Sequence, residues 1–343
     1  MDETVDERQP VNPLPEARSG AFDPVSPGPS SDAHPGISAL ANLFLVLFLW
    51  VAGSGLAVFL GQELASKGYF SGPNPGTSTN DGPLSVQGKK VSRLLATGAA
   101  TLLVFPAQLL LLVAMMRHPA TGCPNHPFQP ERSAPLGVLG IGLAAVVASH
   151  VAWMGLGFCL NRVFLQEPEI HPLSTLLQNG GRWGMVLVAL QGCLVAPVME
   201  EALCRGYLMT LLATMRAGIR SLVGVVVSLL LLGFALDLGK FQGLYGWFNG
   251  GLLAGLLVLP VVAVWLGPIP DQNRRAVWCG IIAQAQIFSC LHASTWPAPV
   301  ALMSLAFGLG WMRASGQPLV ACVVVHALFN LVSLVMAGWL TPG

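Results

Sequence analysis

Residues 36–60 read GISALANLFLVLFLWVAGSGLAVFL, a stretch with no charged side chain. As a helix rising 1.5 Å per residue, such a run crosses a hydrocarbon core of about 30 Å. Further apolar runs lie at 94–116, 136–160, 222–236, 250–266 and 319–340. In lipid only helices and closed barrels satisfy their own backbone. Barrel strands alternate in polarity, and these runs do not. Composition agrees: 53% of the 343 residues are hydrophobic and 10% charged, with a mean hydropathy of +0.65. A soluble chain of this length would carry far more Lys, Glu and Asp on its surface. The sequence therefore predicts an all-α, polytopic transmembrane bundle of about eight or nine helices enclosing a polar cavity. The protein is expected to be integral and multi-pass, in the cytoplasmic membrane if the host is bacterial.

Working outward, residues 1–36 are rich in Pro, Ser, Asp and Glu, and they read as a disordered tail because they offer little to bury. They lack the basic start and prompt apolar run of a cleavable signal. Residues 37–182 read as accessory helices and loops, and 183–340 as the functional core. Crossings are expected at 37–61, up to 116 across Pro106, 136–160, 183–213, 220–238, 246–267, 276–293, 298–312 and 318–340. Between the third and fourth, 161–182 reads as interfacial, with a short amphipathic helix at 173–177. His150, alone in mid-helix, reads as a hydrogen bonder to a neighbouring helix. Lys and Arg divide almost evenly between the two faces, so the positive-inside bias assigns no orientation.

Net charge is +1 with no basic tract, which argues against a nucleic-acid partner and leaves membrane lipid as the surroundings. The seven cysteines are scattered, odd in number and without a C-x-x-C pair, so they read as polarizable core residues. Cys123 and His126 stand close together in a loop, but a zinc site needs a second pair.

The polar exceptions carry the chemistry. Residues 198–208 read VMEEALCRGYL, with Glu200, Glu201 and Arg205 inside an apolar helix. One charge at the bilayer centre costs roughly 2.5–3.5 kcal/mol, so three within six residues need a reason. Glu201 and Arg205, four apart, share a helical face and can pair. Glu200 lies about 100° round the helix and is left over, suited to the role of general base. Residues 286–293, QIFSCLHA, add Phe288 and His292, and 322–331, CVVVHALFNL, add His326 and Asn330 one turn apart. Polar groups on three separate apolar helices are expected to converge on each other or on water.

This set offers carboxylate, imidazole and amide but no serine or cysteine paired with a base, so water is the natural nucleophile. Glu200 would take its proton, His292 would hold or shuttle it, and His326 with Asn330 would stabilise an oxyanion on an amide carbonyl. That is amide hydrolysis within the membrane, of a glutamic type with no cofactor. Zinc is the competing reading, with Glu200, His292 and His326 as its ligands.

In order, E-E-x-x-x-R (Glu200, Glu201, Arg205), F-x-x-x-H (Phe288, His292) and H-x-x-x-N (His326, Asn330) resemble the CPBP family. That family includes the CAAX prenyl endopeptidases, the Ras-converting enzyme among them, and the Abi-type bacteriocin-processing proteins. The run GLGWMRASGQPLVACVVVH at 308–326 is also similar to the family's approach to its last motif. The resemblance covers about 185–335. It implies an intramembrane endopeptidase with a water-accessible cavity and a peptide or lipidated-protein substrate, such as a prenylated C-a-a-X end. It implies water activation by Glu200 and His292, an oxyanion site at His326 and Asn330, and bracing by Glu201 and Arg205. The family has been argued to be glutamic and to be metal-dependent. Position 204 departs from it, with Cys where a bulky aromatic is usual. Two other classes stay open: a silent member acting as a membrane scaffold or immunity protein, and a transporter with a Glu200–His292 proton relay. No inverted repeat of the motif supports the transporter.

Overall fold

Four of the helices begin on a proline, where the residue's fixed φ and missing N–H suit a helix start. They are α1 (Pro35–Ser66), α2 (Pro83–Arg117), α3 (Pro135–Phe164) and α4 (Pro172–Asn179). The structure, a computed structural model, describes residues 35–67, 83–117, 135–164, 172–214, 272–292 and 298–340. All regular structure among the described residues is helical. Residues 1–34 of the expected tail, the expected crossings at 220–238 and 246–267, and the Cys123–His126 pair lie outside them, while Pro35 and Gly36, expected in the tail, already belong to α1.

After α4 comes one long rod: α5 (Gly181–Leu190), a π-helical turn (Gln191–Val195), α6 (Ala196–Glu201), a second π-helical segment (Ala202–Leu208) and α7 (Met209–Thr214). The last three helices are α8 (Gln272–Cys290), α9 (Ala298–Ala314) and α10 (Leu319–Leu340). Among the described residues four stretches are long and apolar enough to cross a membrane: Gly88–Ala114, Leu139–Cys159, Gly181–Leu212 and Leu319–Ala337. The chain is an integral, multi-pass membrane protein.

The core lies where the rod meets α8, α9 and α10. Leu203, Tyr207 and Leu211 of the rod pack with Phe288 of α8, Leu305 and Leu309 of α9 and Val325 of α10, all buried. α3 closes the far side of α9. Gly308 allows this, since a Cβ there would collide with Ala145. Ser149 adds a hydroxyl donated to the Ala301 carbonyl at 2.8 Å. His150 has its Nε2 3.1 Å from Ser333 Oγ on α10, joining two helices as a lone membrane histidine should.

Two local readings are refined. α4 is the short helix expected at 173–177, and its Leu176 is buried against Leu187 and Val188 of α5 and Val91 and Leu94 of α2. Its apolar side packs on protein. α8 stops at Cys290, short of the expected 293. The His292 N–H turns back to the Ser289 carbonyl at 3.1 Å, a tighter bond than a helix continues with, and the Ser289 hydroxyl donates to the Pro299 carbonyl.

Candidate active site

The rod owes its two wide turns to local sequence. Pro197 brings no N–H and its ring crowds the carbonyl four residues earlier, so the ordinary α ladder cannot run through it. The turn before it opens, and the Ala196 N–H bonds the Gln191 carbonyl five residues back. A second opening follows, where the Met209 N–H bonds the Cys204 carbonyl. Such π turns gather at functional sites. Here they bracket the two-turn helix that carries Glu200 and Glu201.

Glu201 and Arg205 are both fully buried. Arg205 Nη1 donates to Glu201 Oε1 at 2.8 Å, and Nη2 donates to the Ala306 carbonyl of α9 at 3.1 Å. The guanidinium also lies 4.8 Å above the Phe288 ring, a cation–π contact in a dry setting. Burying one such charge alone would cost several kcal/mol, and the pairing removes most of that cost.

The same Glu201 Oε1 lies 2.8 Å from His326 Nδ1, a bond across 125 residues of sequence. Glu201 thus engages a guanidinium and an imidazole through one oxygen. The ring of His326 is then turned so that Nε2 stands 3.6 Å from Glu200 Oε2. His292 approaches from the other side. Its Nδ1 lies 2.9 Å from the Phe288 carbonyl, and its Nε2 stands 3.9 Å from Glu200 Oε1.

Both imidazoles therefore hold a proton at Nδ1 against a fixed acceptor and offer Nε2 to Glu200, one to each carboxylate oxygen. At 3.6 and 3.9 Å these are too long for direct hydrogen bonds. Glu200 and His292 keep 18% and 24% of their side chains exposed, whereas His326 keeps 3% and Glu201 none. The open face of the cluster is the Glu200–His292 face. Arg205 and Glu201 cancel in charge, and Glu200 leaves one negative charge for a proton on either histidine to balance.

The sixth expected residue sits one turn away. Asn330 Nδ2 donates to the Gly192 carbonyl at 2.6 Å, inside the first π turn. Five of the six sequence-predicted residues thus share one cluster, while Asn330 holds the rod beside it. Cys204 is fully buried in the apolar core. Among the described residues no group of three or more His, Cys, Asp or Glu side chains is arranged to hold a metal ion.

Sequence reasoning did not single out Gln284 or the Ala306 carbonyl. Gln284 is fully buried and donates to the Ala306 carbonyl at 3.0 Å, the same oxygen that Arg205 uses. The signal was available: Gln284 and Phe288 share one face of α8 at four-residue spacing, and His292 follows four residues on, in the turn just past the helix end.

A partly open carboxylate–imidazole cluster inside a membrane-embedded helical bundle is chemically suited to activating water or passing protons. Residues 182–269 and 263–332 match the family model described as Rce1-like, type II CAAX prenyl endopeptidase. The match spans less than half of the 343 residues, and over that stretch the chain is similar to the CAAX-type membrane proteases that its motif order resembled. No curated protein and no solved structure matches the chain.

Proposed function

We propose that this protein is an intramembrane endopeptidase in which Glu200 and His292 activate water against a peptide bond of a prenylated or otherwise membrane-held substrate. The observation that carries the proposal is the pairing of two Nδ1-anchored imidazoles with the two oxygens of one partly exposed carboxylate. Water lying against Glu200 gives it a proton as its oxygen bonds to the scissile carbonyl carbon. The carbonyl electrons move to oxygen, and the oxyanion is received by the Nε2–H of protonated His326 and the second amide hydrogen of Asn330. Glu201, buried behind His326, fixes the ring through Nδ1, and the imidazolium is balanced by Glu200 before the proton transfer and by the oxyanion after it. Glu200, assisted by His292, returns the proton to the leaving nitrogen as the C–N bond breaks. Leu291, next to His292 and half exposed, gives the approach an apolar wall suited to a lipid-bearing chain.

The test uses detergent-purified protein and a quenched prenylated peptide. Wild type should cleave it with chelator present, and His292→Ala should lose roughly 10²–10⁴-fold in rate, the range for a positioned acid–base group. Loss of wild-type cleavage on chelation, restored by zinc, would replace the metal-free chemistry. Equal cleavage by wild type and His292→Ala would reject the assignment of His292.

A further inference from the structure

We infer that Gln284 is a positioning residue for this site, acting through Arg205 and Glu201 on the orientation of His326. The inference rests on the peptidase reading for its kinetic consequences and on geometry alone for its structural ones.

An unbroken run of buried contacts joins Gln284 to Glu200. Gln284 Nε2 donates to the Ala306 carbonyl at 3.0 Å, and Arg205 Nη2 donates to that same oxygen at 3.1 Å. Arg205 Nη1 donates to Glu201 Oε1 at 2.8 Å, Glu201 Oε1 meets His326 Nδ1 at 2.8 Å, and His326 Nε2 faces Glu200. Gln284, Arg205 and Glu201 are fully buried.

The Ala306 carbonyl lies inside α9, where its ordinary partner is the amide four residues on. A carbonyl oxygen has two lone pairs, and a side-chain donor outside the helix draws the C=O away from the axis. A second bond fixes the Gln284 amide in place, because the same Nε2 also donates to the Ile281 carbonyl of its own helix at 3.0 Å. Aimed this way, the Ala306 carbonyl holds one arm of the guanidinium while Glu201 holds the other. The guanidinium then cannot rotate over Phe288, and Glu201 stays beneath His326.

Gly310 provides the room. A Cβ at that position would overlap Gln284 Nε2 and crowd Ile281 Cγ2. One glycine on α9 thus lets an amide from α8 reach the α9 backbone a turn away. A purely space-filling role for Gln284 is disfavoured, because its Oε1 is buried with no hydrogen-bond partner among the described residues, a cost that an apolar side chain of the same length would not carry.

The variants that test this are Gln284→Met, which keeps the length and removes the donor, and Gly310→Ala, which leaves Gln284 in place and displaces its amide. In the prenylated-peptide assay each should lower kcat about tenfold, the scale of one lost buried hydrogen bond, with KM within about twofold. The pH profile of kcat should shift, since Glu201, paired with a less firmly held Arg205, fixes the ring of His326 less well. In the Gln284→Ala background Gly310→Ala should add nothing, because the two act through one contact. A second readout needs no turnover: labelling of Arg205 by phenylglyoxal, followed by peptide mass spectrometry. Arg205 should resist in wild type and react several-fold faster in both variants. Wild-type kcat, pH profile and Arg205 labelling in either folded variant would overturn the inference. If wild type cleaves no peptide, the peptidase reading fails, and Arg205 labelling alone decides the role of Gln284.

Discussion

The span Gly88–Ala114 of α2 and the span Gly181–Leu212 of the rod are both long and apolar, yet 22% of one window and 50% of the other is buried inside the protein. On α2, Leu103 and Leu110 are each 71% exposed. On the rod, Leu203 and Leu208 are almost wholly enclosed and stand beside Glu201 and Arg205. In lipid, hydrophobicity does not sort inside from outside, because an acyl chain is as good a neighbour as leucine. Polarity sorts them. A helix that carries charges in mid-span must hide them, so it becomes the centre of the bundle, whereas α2, whose Lys89, Lys90 and Arg93 sit at one end, is free to face lipid along its apolar length.

That contrast can be broken in graded steps. The largest effect is expected from Arg205→Met, which strands Glu201 as a buried charge and should cost about 3–5 kcal/mol of stability in detergent unfolding. The double variant Arg205→Met, Glu201→Gln should recover part of that loss, because no unpaired charge remains. A recovery of nothing would mean that packing, and not charge, governs the site. Next comes Leu203→Ala in the rod, expected to cost about 2–5 kcal/mol through lost packing and a cavity. The smallest effect is expected from Leu103→Ala on α2, within about 0.5 kcal/mol by the same measurement. Equal costs at 203 and 103 would erase the distinction between the two spans.

How far the sequence could be read follows the same division. Long apolar runs at 94–116, 136–160 and 319–340 announce helices, and α2, α3 and α10 cover them. The Glu201–Arg205 pair was legible because it is local: four residues on a helix are neighbours whatever the fold. The Glu201–His326 bond was not, since nothing local says which carboxylate an imidazole 125 residues away will choose. Asn330 shows the same limit. Its spacing from His326 places both on one face, but only the π turn ahead of Pro197 explains why its amide meets the Gly192 carbonyl. Gln284 was missed for a different reason: an amide in an apolar run carries no charge to draw attention, although it lies in register with Phe288 and His292.

The central claim is that Glu200, held between two imidazoles, is the base that activates water. The most direct measurement is the turnover of Glu200→Gln, which keeps shape and hydrogen-bonding length while removing the basic carboxylate, read beside its unfolding midpoint. A fall in kcat of roughly 10²–10⁴-fold at an unchanged midpoint is the expected result. Turnover close to that of wild type in the folded variant would contradict the account.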